Sequence, residues 1–320
     1  MTQKLFCGID TSNYTTSVAL ADRNGTVLLN QKKLLPVKEG ERGLRQSDAV
    51  FHHVKQLPEV LAPVREMIAS LGDASICAIG VSATPRDADG SYMPCFLSGI
   101  AAAETAGALL GVPVLRFSHQ AGHIMAALYS ADRLAWMARD FVAFHVSGGT
   151  TEILHVKPDP ITVFSIEQIG GTADINAGQA IDRAGVHMGL MFPAGAEMER
   201  LASSCEGKVP SAKISVSGMT CNLSGLENRA QKLYASTGDR ALVSAFVLDF
   251  VGRTLASMRD GVRAVYGDIP ILYAGGVMSC ARIKKMLAED MAAFAQPAFS
   301  SDNACGAALL ARHAYLTAEV

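Results

Sequence analysis

The chain reads KLFCGIDTSNYTTSVALADRNGTVLL from Lys4 to Leu29. Asn24 and Gly25 separate two of its apolar runs, and Asn-Gly is among the strongest short signals for a two-residue hairpin turn. The runs are rich in residues that favour strands, so we expect the chain to open as an antiparallel meander. The predicted strands are residues 4–9, 17–21 and 26–29.

A second copy of this pattern begins after Asp140, with predicted strands at residues 141–146, 152–156 and about 161–166. Small polar turns at residues 8–12 and 147–151 occupy equivalent places in the two copies, between the first and second strands. We therefore expect an α/β protein with two similar lobes, residues 1–138 and 139–320. A crevice between such lobes is where a nucleotide-sized ligand would bind.

The rest of the chain predicts further strands at residues 78–82, 112–117 and 271–274, and several helices. In the first helix, Pro58 and Pro63 predict an irregularity, and His52 and His53 are expected at solvent or boundary positions. The predicted helices are residues 47–71, 96–110, 121–139, 176–188, 196–203, 223–235, 240–265 and 304–317.

Composition excludes several classes of protein. Hydrophobic residues make up 49% and charged residues 18%, which predicts a folded chain with a large core. The seven cysteines are odd in number and form no CxxC pair, so we expect reduced thiols rather than disulfides or a zinc ribbon. No stretch resembles a membrane span of roughly 18 apolar residues or a secretory signal, so the cytoplasm is the expected compartment.

The pair His119 and His123 is the sharpest chemical signal, because a spacing of four on a helix places both imidazoles on one face. Such a pair is more often packed or solvated than ligating, and here it lacks the glutamate of the HExxH metalloproteases. A metal needs another ligand, for which Asp302 is the best candidate. Asp302 can alternatively cap the last helix, and both roles can hold at once.

Glycine-containing turns at residues 8–12, 147–151 and 275–277 could bring backbone N–H groups close to phosphates. None of them matches the P-loop or the Rossmann fingerprint, and each can instead be a tight strand end. Asp182 is a lone acid on an apolar helix face. Either a ribose hydroxyl or a backbone N–H would satisfy it, and the residues alone leave both partners open.

Taken in order, several motifs resemble those of one family. FCGIDTS at residues 6–12 is similar to its GIETS, SHQAGH at 118–123 to NHxxGH, and AGQAIDR at 177–183 to AGEAFDK. FVAFHVSGG at 141–149, AGGV at 274–277 and SDN at 301–303 follow in matching order and spacing. The chain thus resembles, over nearly its whole length, the tRNA N6-adenosine threonylcarbamoyltransferases, TsaD, formerly known as O-sialoglycoprotein endopeptidases.

This resemblance implies the actin-like ATPase fold, shared with sugar kinases and Hsp70, with two RNase H-like lobes around a cleft. It implies transfer of a threonylcarbamoyl group from threonylcarbamoyl-adenylate to N6 of the adenosine that follows the anticodon in tRNA. It also implies one divalent metal ion, iron or zinc, held by His119, His123 and Asp302. The implied partners are tRNA and proteins resembling TsaB and TsaE.

The same resemblance assigns the remaining candidate site residues. Asp10, in the segment matching GIETS, is the candidate catalytic residue. The positions that match the family's contacts to the substrate phosphate and adenosine are Ser147, Gly148, Gly149, Asp182, Gly195, Glu199 and Cys280.

The chain also departs from the family pattern. Thr150 replaces a histidine, Ile175 an aspartate, Gln179 a glutamate and Cys280 an asparagine, and residues 85–91 replace a Gly-Pro-Gly loop. These changes fall around the nucleotide positions and not around the metal ligands. One alternative is therefore a divergent paralogue that transfers a carbamoyl group to another acceptor. Another is a non-catalytic nucleotide-binding scaffold resembling TsaB, although a pure scaffold has no chemical need for the three metal ligands.

Charge bears on the tRNA partner. With 28 basic and 30 acidic residues the chain has a formal charge of −2, which disfavours a broad basic face. A local basic cluster follows the first hairpin, although a solvated face is the commoner explanation for such a group: Lys32, Lys33, Lys38, Arg42 and Arg45. We therefore expect the isolated chain to bind tRNA poorly and to act with protein partners.

Overall fold

The computed structural model describes residues 2–12, 14–36, 44–300 and 302–318, so Lys38 and Arg42 of the basic cluster lie outside it. Contacts divide the chain into two compact units. The first unit comprises Met1–Tyr129, Pro158–Ser165 and Ser301–Val320, and the second comprises Ser130–Lys157 and Ile166–Ser300. This division differs from the predicted lobes chiefly at the C-terminus, whose helix groups with the first unit.

The sheet of the first unit has the strand order β3-β2-β1-β4-β5. The first three strands form the predicted antiparallel meander, and β4 and β5 continue it in parallel. In the turn between β2 and β3, Gly25 has a φ of 88°, a conformation that favours glycine. The Asp22 carboxylate accepts a hydrogen bond from the Thr26 N–H in this turn at 2.8 Å. The strands are β1 Gln3–Ser12, β2 Thr15–Asp22, β3 Val27–Leu34, β4 Ala74–Thr84 and β5 Val114–Ser118.

The helices of the first unit are α1 Gln46–Leu71, α2 Phe96–Leu110, α3 His119–Ser130 and α9 Cys305–Ala318. Apolar residues of β1, β2 and β4 form a core with α1 and α2, and α9 packs against the same three strands. That packing explains why the C-terminal helix belongs to this unit. The predicted helix at residues 121–139 is shorter than expected, because α3 ends at Ser130 and a separate 3-10 turn follows at Leu134–Ala138.

The prediction that His53 lies at a solvent or boundary position is wrong, because this side chain is fully buried. Its Nδ1 lies 2.8 Å from the Thr16 hydroxyl oxygen, and that hydroxyl donates to Gln56 Oε1 at 2.8 Å. The single proton of Thr16 is thereby used, so its oxygen accepts from His53 Nδ1. Burial lowers the pKa of His53 to about 4, which keeps the ring neutral.

The sheet of the second unit has the order β12-β11-β6-β7-β8-β10-β9. Five of its strands, β8-β7-β6-β11-β12, repeat the order of the first sheet, with β6 and β7 antiparallel and β11 parallel to β6. The predicted internal repeat is therefore confirmed. The strands are β6 Phe141–Val146, β7 Thr151–Asp159, β8 Val163–Thr172, β9 Ser215–Ser217, β10 Thr220–Asn222, β11 Ile271–Ala274 and β12 Ala292–Phe294.

The helices of the second unit are α4 Ala177–His187, α5 Gly195–Ser203, α6 Gly225–Thr237, α7 Arg240–Tyr266 and α8 Ala281–Leu287. Among the described residues, α7 alone is long and apolar enough to cross a membrane by length and composition. Its most apolar stretch is 67% buried, and residues such as Phe246, Val251 and Leu255 pack in the core of this unit. This is the position of a core helix.

Candidate metal centre and glycine-rich turn

The structure brings the three predicted metal ligands together in the first unit. His119 and His123 lie on the first turns of α3, and Asp302 precedes α9. Asp302 Oδ1 lies 3.5 Å from His119 Nε2 and 3.3 Å from His123 Nε2, and the three ligand atoms all lie within 4.8 Å of one another. Two imidazole nitrogens and one carboxylate oxygen are a donor set that suits zinc or iron, so these residues fit a divalent metal.

The alternative that Asp302 caps α9 is not what the structure shows. Asn303 takes the capping role, since its Oδ1 accepts from the Cys305 N–H at 3.1 Å. The carboxylate of Asp302 is directed instead at the two histidines.

Asp10 lies directly behind His119. Its Oδ2 is 2.7 Å from His119 Nδ1 and accepts from the Ser82 hydroxyl at 2.5 Å, while Oδ1 accepts from the Ser12 N–H at 2.9 Å. Burial alone would raise the pKa of this carboxyl, but the charge of His119 and these hydrogen bonds hold the pKa below its usual value. A carboxylate on Nδ1 fixes the ring and leaves Nε2 to face Asp302, which is the usual support of a ligating histidine.

The two carboxylates of Asp10 and Asp302 favour a positive charge at His119. Burial by itself would lower the pKa of His119, but Asp10 and Asp302 outweigh burial and raise that pKa to about 10. The pKa of Asp302 lies well below its usual range, because its hydrogen bonds to both histidines outweigh burial. A proton balances the two carboxylates when no metal is bound, and a metal cation can take over that role.

Close glycine contacts hold α9 against the rest of the site. A methyl group added to Gly306 would lie 1.8 Å from the Gly122 carbonyl oxygen on α3. One added to Gly8 would lie 2.3 Å from the Ala304 carbonyl, and one on Gly80 2.1 Å from that of Ala307. Only glycine permits these approaches, which bring Asp302 to the histidines.

The prediction that residues 8–12 form a small polar turn is wrong, because all five lie within β1. The glycine of this segment serves helix packing, and its acid supports His119.

In the second unit, residues 147–150 of the predicted 147–151 turn do lie between β6 and β7, and Thr151 already belongs to β7. The Ser147 N–H donates to the Thr150 carbonyl at 2.8 Å, and the Gly149 N–H donates to Ser147 Oγ at 3.2 Å. Gly148 and Gly149 are exposed, and a methyl group on either would meet nothing within 4 Å. The turn therefore presents an open face of backbone.

Two further glycines hold this turn from behind. The Gly178 N–H on α4 donates to the Ser147 carbonyl at 3.1 Å, and a methyl group on Gly178 would lie 2.7 Å from Gly148 N. Gly275 has a φ of 100°, and a methyl group there would lie 2.2 Å from the Val146 carbonyl oxygen. The third predicted glycine turn thus supports the second by close packing.

Two positions near the start of α4 serve local structure. Gln179 forms a capping box with Asn176, whose N–H donates to Gln179 Oε1 at 3.4 Å. Asp174 accepts from the N–H groups of Leu223 at 2.8 Å and Ser224 at 3.0 Å. Although burial opposes it, these bonds hold the pKa of Asp174 well below its usual range.

Asp182 has a backbone partner, since its Oδ1 accepts from the Ala194 N–H at 2.8 Å and the carboxylate also bonds the Gly195 N–H. Of the two partners left open by the sequence, the backbone N–H is therefore present. Burial outweighs these bonds and raises the pKa of Asp182.

Glu199 and Cys280 also lie together. Glu199 Oε1 accepts from the Ala281 N–H at 2.6 Å, and burial, with Glu199 nearby, raises the pKa of the Cys280 thiol. The structure thus pairs Asp182 with Gly195 and Glu199 with Cys280. Sequence analysis missed the adjoining pair of Arg282 and Asp249, whose two bonds measure 2.5 and 2.8 Å.

Solved structures define the class of fold. Full-length HypF in its phosphate- and nucleotide-bound form aligns with a TM-score of 0.58 at 12% identity, covering 98% of this chain and 55% of that one. A ROK family glucokinase from Streptomyces griseus aligns with a TM-score of 0.52 at 14% identity, covering 97% and 99%. The protein thus has the actin-like ATPase fold, as predicted.

Sequence comparison gives the family. The sequence model of the TsaD family, tRNA N6-adenosine threonylcarbamoyltransferase, matches residues 27–309. This chain therefore belongs to the TsaD family, and the predicted family is confirmed. That name describes an acyltransferase, the predicted enzyme class.

Relatives bearing the family's name come from distant organisms. The Methanopyrus kandleri protein is 29% identical over 303 residues, covering 92% of this chain and 83% of its own length. The Bacillus licheniformis protein is 30% identical over 282 residues, covering 84% and 78%. A protein of Thermoplasma volcanium called a probable bifunctional tRNA threonylcarbamoyladenosine biosynthesis protein is 28% identical, covering 88% of this chain and 50% of its own length.

Proposed function

We propose that this protein transfers a threonylcarbamoyl group from threonylcarbamoyl-adenylate to N6 of the adenosine following the anticodon in tRNA. The N6 amine forms the new C–N bond, the bond between the carbamoyl carbon and the phosphate oxygen breaks, AMP leaves, and the amine proton passes to solvent. Family membership and the names of the relatives support the activity. The observation that carries it is the metal-type cluster His119, His123 and Asp302, with its ligand atoms within 4.8 Å.

His119, His123 and Asp302 would hold one iron or zinc ion. Such an ion supplies Lewis-acid stabilisation of the charge that develops on the leaving phosphate. Asp10 acts on this site through His119, because it holds Nδ1 at 2.7 Å and so fixes the direction of Nε2.

The 147–150 turn is proposed to bind the phosphate of the adenylate. Ser147, Gly148 and Gly149 present backbone that no side chain covers at the glycines, and phosphates bind well to such turns.

Gly195, Cys280 and the two carboxylates of Asp182 and Glu199 are proposed to bind the adenosine. Each ionised carboxylate can accept about four hydrogen bonds, so the bonds to Ala194 and Ala281 leave capacity for ribose hydroxyls.

tRNA and proteins resembling TsaB and TsaE are the proposed partners. In the described part of the basic cluster, Lys33 forms an ion pair with Glu59, which reduces the positive charge available to RNA. With a formal charge of −2, the chain would depend on partners for part of the tRNA contact.

The test is a transfer assay with labelled threonylcarbamoyl-adenylate and tRNA, with and without those partners, together with metal analysis of the purified chain. We expect about one metal ion per chain and labelled tRNA, and loss of both in His119→Ala. His52→Ala is the control, since His52 is half-buried on α1 and does not belong to the metal-type cluster. Metal content unchanged by His119→Ala would reject the ligand assignment.

Two other outcomes separate the alternatives. Release of AMP with the label on a different acceptor would identify a divergent carbamoyltransferase. Nucleotide binding without any turnover would identify a scaffold.

A further inference from the structure

The loop between α4 and α5 exposes two large apolar side chains side by side. Met191 is 85% and Phe192 74% exposed. Single exposed apolar residues are common, but an adjacent pair projecting from a loop indicates a contact surface.

This loop is held at both ends. On one side the Gly189 N–H donates to the Val186 carbonyl at 2.9 Å, and the Leu190 N–H donates to that of Gly185 at 3.0 Å. On the other side Asp182 accepts from the Ala194 N–H at 2.8 Å. The backbone that carries the two side chains is thus anchored on both sides, which lowers the entropy cost of ordering the loop on binding.

A cation lies beside the loop. Arg240, exposed at the start of α7, has its Nη2 3.4 Å from the position a methyl group on Gly189 would take. Within the part of the chain that the structure describes, no carboxylate forms an ion pair with Arg240. The neighbouring Asp239 uses its Oδ1 to cap α7, accepting from the Leu242 N–H at 3.0 Å.

We propose that Met191, Phe192 and Arg240 form a contact for single-stranded RNA, with an unpaired base stacked on Phe192 and a phosphate on Arg240. This inference rests on the proposed function, which makes tRNA the acceptor substrate. Unpaired loop bases are recognised by stacking on aromatic side chains, with nearby cations on the phosphates. The loop carries the exposed aromatic ring of Phe192 and has Arg240 beside its Gly189.

The surroundings favour RNA over a protein partner. Helix α4, which precedes the loop, carries the exposed polar residues Arg183 and His187, and Arg240 lies beside Gly189 of the loop. Arg183 also pairs with Glu227 at 3.6 Å. A stable protein interface buries roughly 800 Å² on each partner around an apolar centre, far more than Met191, Phe192 and the half-exposed Val186 offer. The charge of Arg240 matches a phosphate.

The experiment measures binding of tRNA and of a single-stranded anticodon-loop RNA to the full chain together with the proteins resembling TsaB and TsaE, at several salt concentrations. We expect Phe192→Ala to weaken binding about tenfold and Phe192→Trp to retain it. Arg240→Gln should reduce the slope of log affinity against log salt by about one. Leu109→Ala is the matched control, because Leu109 is 83% exposed and lies in the first unit, and it should change affinity less than about twofold.

Metal content and melting temperature verify that each variant folds. Unchanged RNA affinity in Phe192→Ala, or equal losses for single-stranded and fully paired RNA, would overturn the stacking contact. If Phe192→Ala instead weakens binding of a protein partner and leaves RNA affinity unchanged, the loop is a protein-docking surface and the inference is wrong.

The two proposals fail in distinguishable ways. If the wild-type protein and Phe192→Ala both transfer the group to tRNA with the same KM for tRNA, the RNA contact alone is overturned. Wild-type protein that neither binds nor modifies tRNA in the presence of those partners would overturn both.

Discussion

The metal-type cluster in the first unit and the 147–150 turn in the second unit are built in opposite ways. His119 and His123 lie on α3, whereas Asp302 precedes α9 nearly 180 residues later, and it meets them because α3 and α9 pack through glycine contacts. The turn is four consecutive residues between two paired strands, and its exposed glycines meet nothing within 4 Å. Tertiary packing therefore brings the ligands of the first site together, while the turn is formed by consecutive residues and only its inner side packs against Gly178 and Gly275.

The same glycine-to-alanine change should affect the two regions very differently. Gly306→Ala places a methyl group 1.8 Å from the Gly122 carbonyl oxygen, so α9 must move. We expect the free energy of unfolding to fall by about 3 kcal/mol and metal content to fall with it. Gly148→Ala enters open space and should change stability by less than about 0.5 kcal/mol while weakening nucleotide binding.

Urea titration, metal analysis and calorimetry with nucleotide would compare the two variants. Equal stability losses would show that the contrast between the two regions is mistaken.

A smaller effect is expected at Asp10, which acts on the metal cluster only through His119. Asp10→Asn removes the negative charge behind Nδ1 and should weaken metal affinity by about 10- to 100-fold without removing any ligand. Competition with a chelator measures this loss. Asp73→Asn, at an exposed acid of the same unit, is the control and should leave affinity unchanged. Equal affinities in both variants would remove Asp10 from the site.

The smallest effect is expected on the pH dependence of stability, through Asp174 near the start of α4. The pKa of Asp174 is lower in the folded protein than the ordinary value of about 3.9, because of its bonds to Leu223 and Ser224. A depressed folded pKa gives stability that is present above the unfolded pKa and is lost as pH falls through the folded pKa. Asp174→Asn should therefore be less stable than wild type at pH 7, with a difference that narrows below about pH 4.

Urea midpoints of the two proteins between pH 7 and pH 2.5 would measure that difference. A gap that stays constant with pH would mean that the charge of Asp174 contributes nothing to stability.

The local sequence pattern predicted the bounds of helices and strands well where a single hydrophobic signal was strong. Helix α2 and strands β6 and β11 have the predicted bounds, because a continuous apolar run or a clear helical period ends at residues that stop it. The local pattern failed where a contact with a residue far along the chain determines whether a side chain is buried. His53 shares its helix with exposed residues, but it lies on the face of α1 that packs against β2, where Thr16 is its partner.

The sequence by itself determined the repeated strand pattern, the spacing of His119 and His123, and the family, because strand alternation, turns and short motifs are properties of consecutive residues. Tertiary structure decided that Asp302 faces those histidines, that Gly8 serves packing rather than a turn, and that α9 belongs to the first unit. The physical reason is that close packing of two backbones depends on a glycine in one segment and a carbonyl in another. No local pattern contains both.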